Sequence, residues 1–104
     1  MTDYKRGFLE IVSEILTSLS NGPLIKTHVT FKCKLDSRAV SKYLRTLQDY
    51  ELIKKSENGT PVFIITEKGK EFLEQYQSLM RLFEHSHVSN EKSEAQKIQS
   101  TRTK

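Results

Sequence analysis

The chain has little of what marks several common protein classes. Among its 104 residues are one cysteine, two prolines, four glycines and no tryptophan. A lone cysteine, Cys33, cannot form an internal disulfide, which excludes a disulfide-stapled fold. The longest apolar runs, such as residues 61–65, are far shorter than the roughly 18 to 20 residues that cross a bilayer. No hydrophobic segment typical of a secretory signal follows the polar residues 1–5, so we expect a cytoplasmic protein without a membrane partner.

Patterns of catalytic and metal-binding residues are also lacking. Serine, histidine and acidic residues fall on separate predicted elements without the spacing of a nucleophile site, and no glycine-rich phosphate loop is present. His85 and His87 alone fall short of a metal-ligand set, and solvation explains them better. We therefore expect no enzyme, no metal site and no cofactor.

Positive charge is concentrated in the middle of the chain. Residues 24–55 carry eight basic and three acidic groups, a balance of +5, whereas the rest of residues 1–85 carries five basic and eight acidic groups, a balance of −3. A one-sided positive field attracts a polyanion and speeds its association. The alternative is a lysine-rich surface that meets only solvent.

Apolar spacing predicts a first helix over residues 3–20. Thr2 or Asp3 would cap this helix, and the Asn-Gly-Pro sequence at 21–23 would end it. Its apolar residues recur every three or four positions: Phe8, Ile11, Val12, Ile15, Leu16 and Leu19.

Two further helices are expected before residue 50. Apolar residues at 25, 29 and 33 lie four apart and predict a short second helix, although its threonines and Phe31 also suit a strand. Asp36 can accept hydrogen bonds from free backbone N–H groups and so cap a third helix. The buried stripe of that helix is expected to be Val40, Leu44 and Leu47.

After Tyr50 the pattern becomes that of a strand pair. Residues 52–55 and 62–65 flank Asn58-Gly59, which supplies the positive φ angles of a tight hairpin turn. Thr66 then caps a fourth helix that runs to about Glu84. Residues 86–104 are polar and expected to be disordered, so the domain should span residues 1–85.

This order, α-α-α-β-β-α, is α+β, mainly α, and is the layout of a winged helix-turn-helix domain. Over residues 7–84 the chain resembles the small archaeal winged-helix proteins, which are predicted transcription regulators and dimeric chromatin-associated proteins. The similar segments are Thr-His-Val-Thr-Phe-Lys-Cys-Lys-Leu-Asp at 27–36, Lys-Tyr-Leu at 42–44, Thr-Glu-Lys-Gly at 66–69 and Glu-Phe-Leu at 71–73. Thr30, Lys34 and Asp36 depart from the family pattern.

The third helix is the candidate DNA-reading element. Its polar side carries Ser37, Arg38, Ser41, Lys42 and Arg45. The guanidinium fork of Arg38 matches guanine O6 and N7, which makes it the candidate base reader, and Lys42 and Arg45 are candidate phosphate contacts. Further contacts to the DNA backbone are expected from Thr27, His28, Lys32, Lys54 and Lys55. For each of these side chains, simple solvation is the alternative.

The fourth helix predicts a second interface. Its apolar surface is wider than one small domain usually covers, and the resemblance implies that this helix pairs with its mate in a second copy, commonly as an antiparallel coiled coil. The expected interface residues are Phe72, Tyr76, Leu79, Met80 and Phe83. The alternative is a monomer in which these residues fold back on the first helix.

Two single residues have alternative interpretations. Cys33 suits a small core position, but flanking Lys32 and Lys34 could lower the pKa of its thiol and make it redox-sensitive. Tyr43 is expected at the core boundary, and stacking on a base is the alternative.

Together these patterns predict a homodimeric transcription regulator that binds double-stranded DNA, with the third helix in the major groove and the wing on the backbone. It would be nucleoid-associated. One alternative is an architectural chromatin protein with little sequence preference. Another is a winged helix whose basic face meets an acidic protein of the transcription machinery.

Overall fold

The computed structural model describes the backbone of residues 6–91 and the side chains of residues 6–84. The elements are α1 (Phe8–Ser20), α2 (Lys26–Cys33), α3 (Ser37–Asp49), β1 (Ile53–Ser56), β2 (Val62–Ile65) and α4 (Glu67–Glu91). The predicted order of three helices, a hairpin and a long final helix is therefore confirmed. None of the helices in the described part of the chain combines the length and apolarity that a membrane crossing requires.

The chain divides into two compact units within α4. The first unit ends at Leu73 and the second begins at Glu74. Residues 67–73 of α4 thus belong with the three shorter helices and the hairpin, and the rest of α4 belongs to the second unit.

The core of the first unit forms where α1, α2 and α3 meet the hairpin. Burial of a large apolar side chain stabilises a fold by roughly 1.5–3 kcal/mol, so a small set can hold this unit together. The predicted stripes of α1 and α3 are confirmed, apart from Phe8. The buried apolar residues of these elements are Ile11, Val12, Ile15, Leu16 and Leu19, Val29 and Cys33, Val40, Leu44 and Leu47, and Ile53, Phe63 and Ile65.

Helix α1 begins later than the sequence predicts. Gly7 is its N-cap residue, in an extended conformation, so α1 begins at Phe8 and the predicted continuous helix from residue 3 is wrong. Thr2 and Asp3, the predicted caps, lie outside the described residues. Arg6 donates hydrogen bonds to the Cys33 carbonyl oxygen at 2.8 Å and to the Lys34 carbonyl oxygen at 3.1 Å. These bonds hold Arg6 against the end of α2. Phe8, as the first helical residue, is 53% exposed.

The turn between α2 and α3 is built from two caps. Lys34 ends α2 in the left-handed conformation, with φ 55° and ψ 48°, and the Leu35 N–H donates to the Thr30 carbonyl oxygen at 3.2 Å. This bond satisfies a carbonyl that the helix end leaves free. Asp36 accepts a hydrogen bond from the Ala39 N–H at 2.8 Å, which confirms its predicted role as the cap of α3.

The hairpin is antiparallel and wider at its tip than predicted. Its register runs from Ile53 opposite Ile65 to Ser56 opposite Val62, which leaves residues 57–61 as the loop. Gly59 has φ 86°, but Asn58 has no positive φ, so the predicted tight Asn-Gly turn is wrong. Pro61 has no N–H to donate, which prevents the pairing from continuing towards Asn58.

The start of α4 is fixed against the turn that follows α3. Thr66 Oγ1 accepts from the Gly69 N–H at 3.0 Å and donates to the Glu51 carbonyl oxygen at 2.7 Å, so Thr66 is the predicted cap. A Cβ atom on Gly69 would lie 2.2 Å from the Leu52 carbonyl oxygen and 2.8 Å from Ile65 Cγ1. Only glycine allows this close approach of the helix to the turn.

Helix α4 is helical as far as Glu91, the last residue whose backbone is described, and so extends beyond the predicted end near Glu84. Residues 85–91 contain neither glycine nor proline, so no helix-breaking residue interrupts the helical hydrogen bonds. The predicted disordered tail from residue 86 thus includes residues that are helical here. Residues 92–104 lie outside the described residues.

The contact at Gly69 yields a stability prediction. Gly69→Ala should lower the free energy of unfolding by about 2 kcal/mol, because the added methyl group overlaps backbone at Leu52 that cannot move freely. Urea unfolding followed by circular dichroism at fixed protein concentration measures this change. Lys68→Ala, at an exposed position of the same turn, should leave the midpoint nearly unchanged. Equal midpoints for Gly69→Ala and the natural chain would contradict the prediction.

Candidate nucleic-acid interface

Helix α3 exposes a continuous polar surface opposite its buried stripe. Val40, Leu44 and Leu47 are buried, so the positions about half a turn away point to solvent. Five of the predicted site residues lie on this polar surface, and all five are exposed. We call them the α3 face: Ser37, Arg38, Ser41, Lys42 and Arg45.

The cations of the α3 face are not neutralised within the described part of the chain. The ion pairs in residues 6–84 are Arg6 with Glu14, Lys55 with Glu57 and Lys70 with Glu67. None of them involves Arg38, Lys42 or Arg45. The nearest acidic residue of the turn before α3, Asp36, directs its carboxylate at the backbone of Ala39. The α3 face therefore offers three cationic donor groups to an external anion.

Helix α2 approaches the α3 face with one side only. Lys26, its first residue, donates through Nζ to the Ser41 hydroxyl oxygen. Residues advance about 100° each around a helix, which places Thr30 on the side of Lys26 and turns His28 and Lys32 away from it. His28 and Lys32 are exposed, and so is Thr27. Lys26 therefore contacts α3, although the sequence did not indicate it as a site residue.

The sequence did contain one indication of Lys26. It belongs to the eight basic residues of the segment 24–55, but nothing in its spacing showed which of these residues would contact α3. Its neighbour Leu24 is paired with β2, because the Leu24 N–H donates to the Phe63 carbonyl oxygen at 3.2 Å and the Phe63 N–H donates to the Leu24 carbonyl oxygen at 2.7 Å. This pairing holds the start of α2 beside the hairpin.

The wing presents its two predicted site residues differently. Lys54 and Lys55 are both exposed on β1, and adjacent residues of a strand point to opposite sides. Lys55 Nζ lies 3.2 Å from Glu57 Oε2, whereas Lys54 has no ion pair among the described residues. A groove of about 500 Å³ between the end of α3 and β1 is lined by Glu51 and Glu57 as well as by both lysines. Its mixed charge makes this groove less suited to an anion than the α3 face.

Tyr43 is a residue of α3 whose ring contacts α1, and it lies at the core boundary as predicted. Its ring stacks on that of Phe8, with centroids 5.7 Å apart and an angle of 26° between the planes. Tyr43 is half-buried and packs against the core. The stack occupies one face of the ring.

Cys33 is a core residue, which confirms its predicted role as a small apolar side chain. It is 3% exposed, and burial raises the pKa of its thiol above the ordinary value. The Ser18 hydroxyl, Arg6 and Lys32 act in the opposite direction, but desolvation outweighs them. A protonated and buried thiol lacks the reactive thiolate that redox sensing needs, so the structure argues against that alternative.

The described residues contain no group of His, Cys, Asp and Glu that could hold a metal ion.

In α4, the five residues predicted to form a dimer interface differ in their surroundings. Phe72 belongs to the first unit and packs against its core, and Tyr76 is half-buried. In the second unit, Leu79, Met80 and Phe83 are exposed by 51%, 37% and 62%. This unit therefore presents large apolar side chains on a helix surface.

The chain matches a known protein family over most of its length. A family model described as winged helix-turn-helix covers residues 5–84. An uncharacterised protein of Methanocaldococcus jannaschii is 40% identical over 81 residues, which covers 78% of this chain and 77% of that protein. The chain therefore belongs to the winged helix-turn-helix family, and the resemblance to small archaeal winged-helix proteins is confirmed.

Solved structures share the fold. Sso10a-2, a DNA-binding protein from Sulfolobus solfataricus, has a TM-score of 0.71 at 25% identity, and the match covers 83% of this chain and 90% of that one. MepR, a transcription regulator of the Staphylococcus aureus multidrug efflux pump MepA, also has a TM-score of 0.71, at 20% identity. That match covers 79% of this chain and 64% of MepR. Both similarities support the winged helix-turn-helix fold found here.

Proposed function

We propose that this protein is a transcription regulator that binds double-stranded DNA with the α3 face in the major groove. The observation that carries the proposal is the row of Arg38, Lys42 and Arg45, which are exposed and lack ion pairs among the described residues. A major groove of about 12 Å admits one α-helix. Burial of the opposite side of α3 would keep the helix rigid while its cations contact the DNA.

The residues of the α3 face would divide into two roles. Arg38 lies in the first turn of α3, and residues near the start of a recognition helix contact base edges. Its guanidinium group can donate two hydrogen bonds to guanine O6 and N7. Lys42 and Arg45 lie farther along the helix, where contacts to phosphate would position the protein without reading sequence. Ser37 and Ser41 would add hydroxyl contacts.

Contacts outside α3 would come from α2 and the wing. Lys54 has no competing ion pair in the described part of the chain, so we propose it as the principal backbone contact of the wing. Lys55 would have to leave Glu57 to contribute. Thr27, His28 and Lys32 are exposed on α2 and complete the proposed backbone contacts, although the last two lie away from the side that meets α3.

The comparisons support this function in general terms. Sso10a-2 is described as a DNA-binding protein and MepR as a transcription regulator, and both share the fold of this chain. An architectural role with little sequence preference is the second candidate, because Lys42 and Arg45, farther along α3, are proposed to contact phosphate and not bases. Competition of one selected duplex against bulk DNA at fixed salt separates the two functions.

We also propose that two copies associate through α4. Leu79, Met80 and Phe83 are exposed apolar residues at helical spacing, and burying them against a second copy would remove them from water. Phe72 and Tyr76 continue the same stripe towards the start of the helix. A dimer would present two α3 faces to two half-sites of DNA.

The DNA-binding proposal predicts the effect of removing the α3 cations. Arg38→Ala should weaken binding to a selected duplex by about 1–3 kcal/mol and relax base preference at one position. Lys42→Ala should weaken binding to all sequences and lower the slope of log affinity against log salt by about 1. Fluorescence anisotropy with labelled duplex at several salt concentrations measures both effects.

A matched control is Lys68→Ala, which removes an exposed cation from α4 and should change neither affinity nor slope. If the double variant Arg38→Ala, Lys42→Ala bound DNA as tightly as the natural chain, the proposed function would be contradicted.

The dimer proposal predicts a change of mass in solution. The natural chain should sediment at twice its 12.1 kDa mass at micromolar concentration, and Leu79→Lys with Phe83→Lys should reduce this to 12.1 kDa, because two charges would be buried at the interface. Gln77→Lys, on the polar side of the same helix, is the control and should leave the dimer intact. A natural chain that sediments at 12.1 kDa would overturn the proposal.

A further inference from the structure

The contact between Lys26 and Ser41 joins two helices at the α3 face. Lys26 is the first residue of α2, and Ser41 is an exposed residue of α3, about 100° around the helix from buried Val40. The Lys26 ammonium group donates to the Ser41 hydroxyl oxygen. Lys26 is half-buried and makes no ion pair among the described residues, so this hydroxyl is the partner that the structure gives it.

Ser41 differs from three of the other hydroxyl residues on the helices of this protein. Ser13 donates to the Glu10 carbonyl oxygen at 2.8 Å, Ser18 to the Glu14 carbonyl oxygen at 3.1 Å, and Thr30 to the Lys26 carbonyl oxygen at 2.9 Å. Each of these hydroxyl hydrogens is therefore used within its own helix. Ser41 makes no such bond among residues 6–84, and its hydrogen remains available to a group outside the protein.

A serine hydroxyl has one hydrogen and two lone pairs. When an ammonium group occupies a lone pair, the hydroxyl hydrogen points elsewhere, and the nearby positive charge makes it a stronger donor. An ammonium group also repels an incoming N–H donor. Ser41 therefore favours groups that accept a hydrogen bond over groups that only donate one.

We infer that Lys26 is a positioning residue that fixes Ser41 as a hydrogen-bond donor to DNA. This inference rests on the proposed function, since it requires the α3 face to meet DNA. The acceptor on DNA would be a phosphate oxygen or an acceptor at a base edge, namely guanine O6 or N7, adenine N7 or thymine O4. Cytosine N4, which only donates, would be disfavoured at Ser41 because the Lys26 ammonium group lies beside the same oxygen.

A double-mutant cycle tests the inference. Lys26→Met and Ser41→Ala should each weaken binding to a duplex selected by the natural chain about 3- to 10-fold, as expected for one hydrogen bond. The double variant should lose no more than the larger single effect, because both changes remove the same contact. Lys26→Arg should restore binding, since the guanidinium group also donates, and Lys68→Met is the matched control.

Selection from a randomised duplex library distinguishes the two kinds of acceptor. If Ser41 contacts a base edge, Lys26→Met and Ser41→Ala should relax base preference at the same position. If Ser41 contacts phosphate, base preferences should stay unchanged while the coupling in affinity persists. Both results support the inference, provided that the variants melt at the temperature of the natural chain.

Independent effects of the Lys26→Met and Ser41→Ala substitutions on DNA binding would overturn the inference. If Lys26→Met weakened binding and lowered the salt slope by the same amount in the natural chain and in the Ser41→Ala variant, Lys26 would be a separate phosphate contact. That result would leave the proposed function intact, because Arg38→Ala would still weaken binding. If the natural chain did not bind duplex DNA at micromolar concentration, the proposed function would fail and this inference with it.

Discussion

The candidate site depends on the burial of one side of α3. Val40, Leu44 and Leu47 are each 2% exposed or less, and together they fix the helix against the rest of the core. Because these residues return every three or four positions, the intervening polar positions share the opposite side. The same periodicity that stabilises the fold therefore assembles the α3 face. A helix held in this way can bind a rigid partner without first becoming ordered, which avoids an entropic cost of binding.

The distribution of ion pairs also leaves the α3 face positively charged. The described ion pairs lie on α1, the wing and α4, and an exposed ion pair contributes at most about 1 kcal/mol to stability. The lack of ion pairs at Arg38, Lys42 and Arg45 within the described residues therefore costs the fold little, while it preserves a positive field that attracts a polyanion. The carboxylate closest to these residues in sequence, that of Asp36, caps the start of α3. It stabilises the helix at the point where a carboxylate interacts favourably with free N–H groups.

Most of the fold could be predicted because it follows from local patterns. The stripes of α1 and α3, the cap at Asp36, the cap at Thr66 and the strands β1 and β2 all depend on residues within a few positions of one another. Two errors have different causes, a contact with a distant element in one case and a neighbouring residue in the other. Arg6 bonds to the end of α2 and thereby excludes the predicted start of α1, and Pro61 widens the loop that Asn58-Gly59 was expected to form tightly.

In the candidate site, too, local patterns could be predicted and contacts between helices could not. Helical periodicity alone indicated the five residues of the α3 face. Lys26 was missed because its contact with Ser41 joins residues 15 positions apart, and no spacing within α2 indicates which of its sides meets α3. Conversely, periodicity could not show that His28 and Lys32 lie away from that side.

If the proposed function is correct, DNA meets the exposed side of α3. A nuclear magnetic resonance titration of the ¹⁵N-labelled chain with a short duplex, following every backbone amide, measures this contact residue by residue. We expect the largest shifts at Arg38, Ser41, Lys42 and Arg45, smaller shifts at Lys26 and Lys54, and little change along the exposed positions of α1. Shifts concentrated on α1, or none at saturating duplex, would contradict the proposed function.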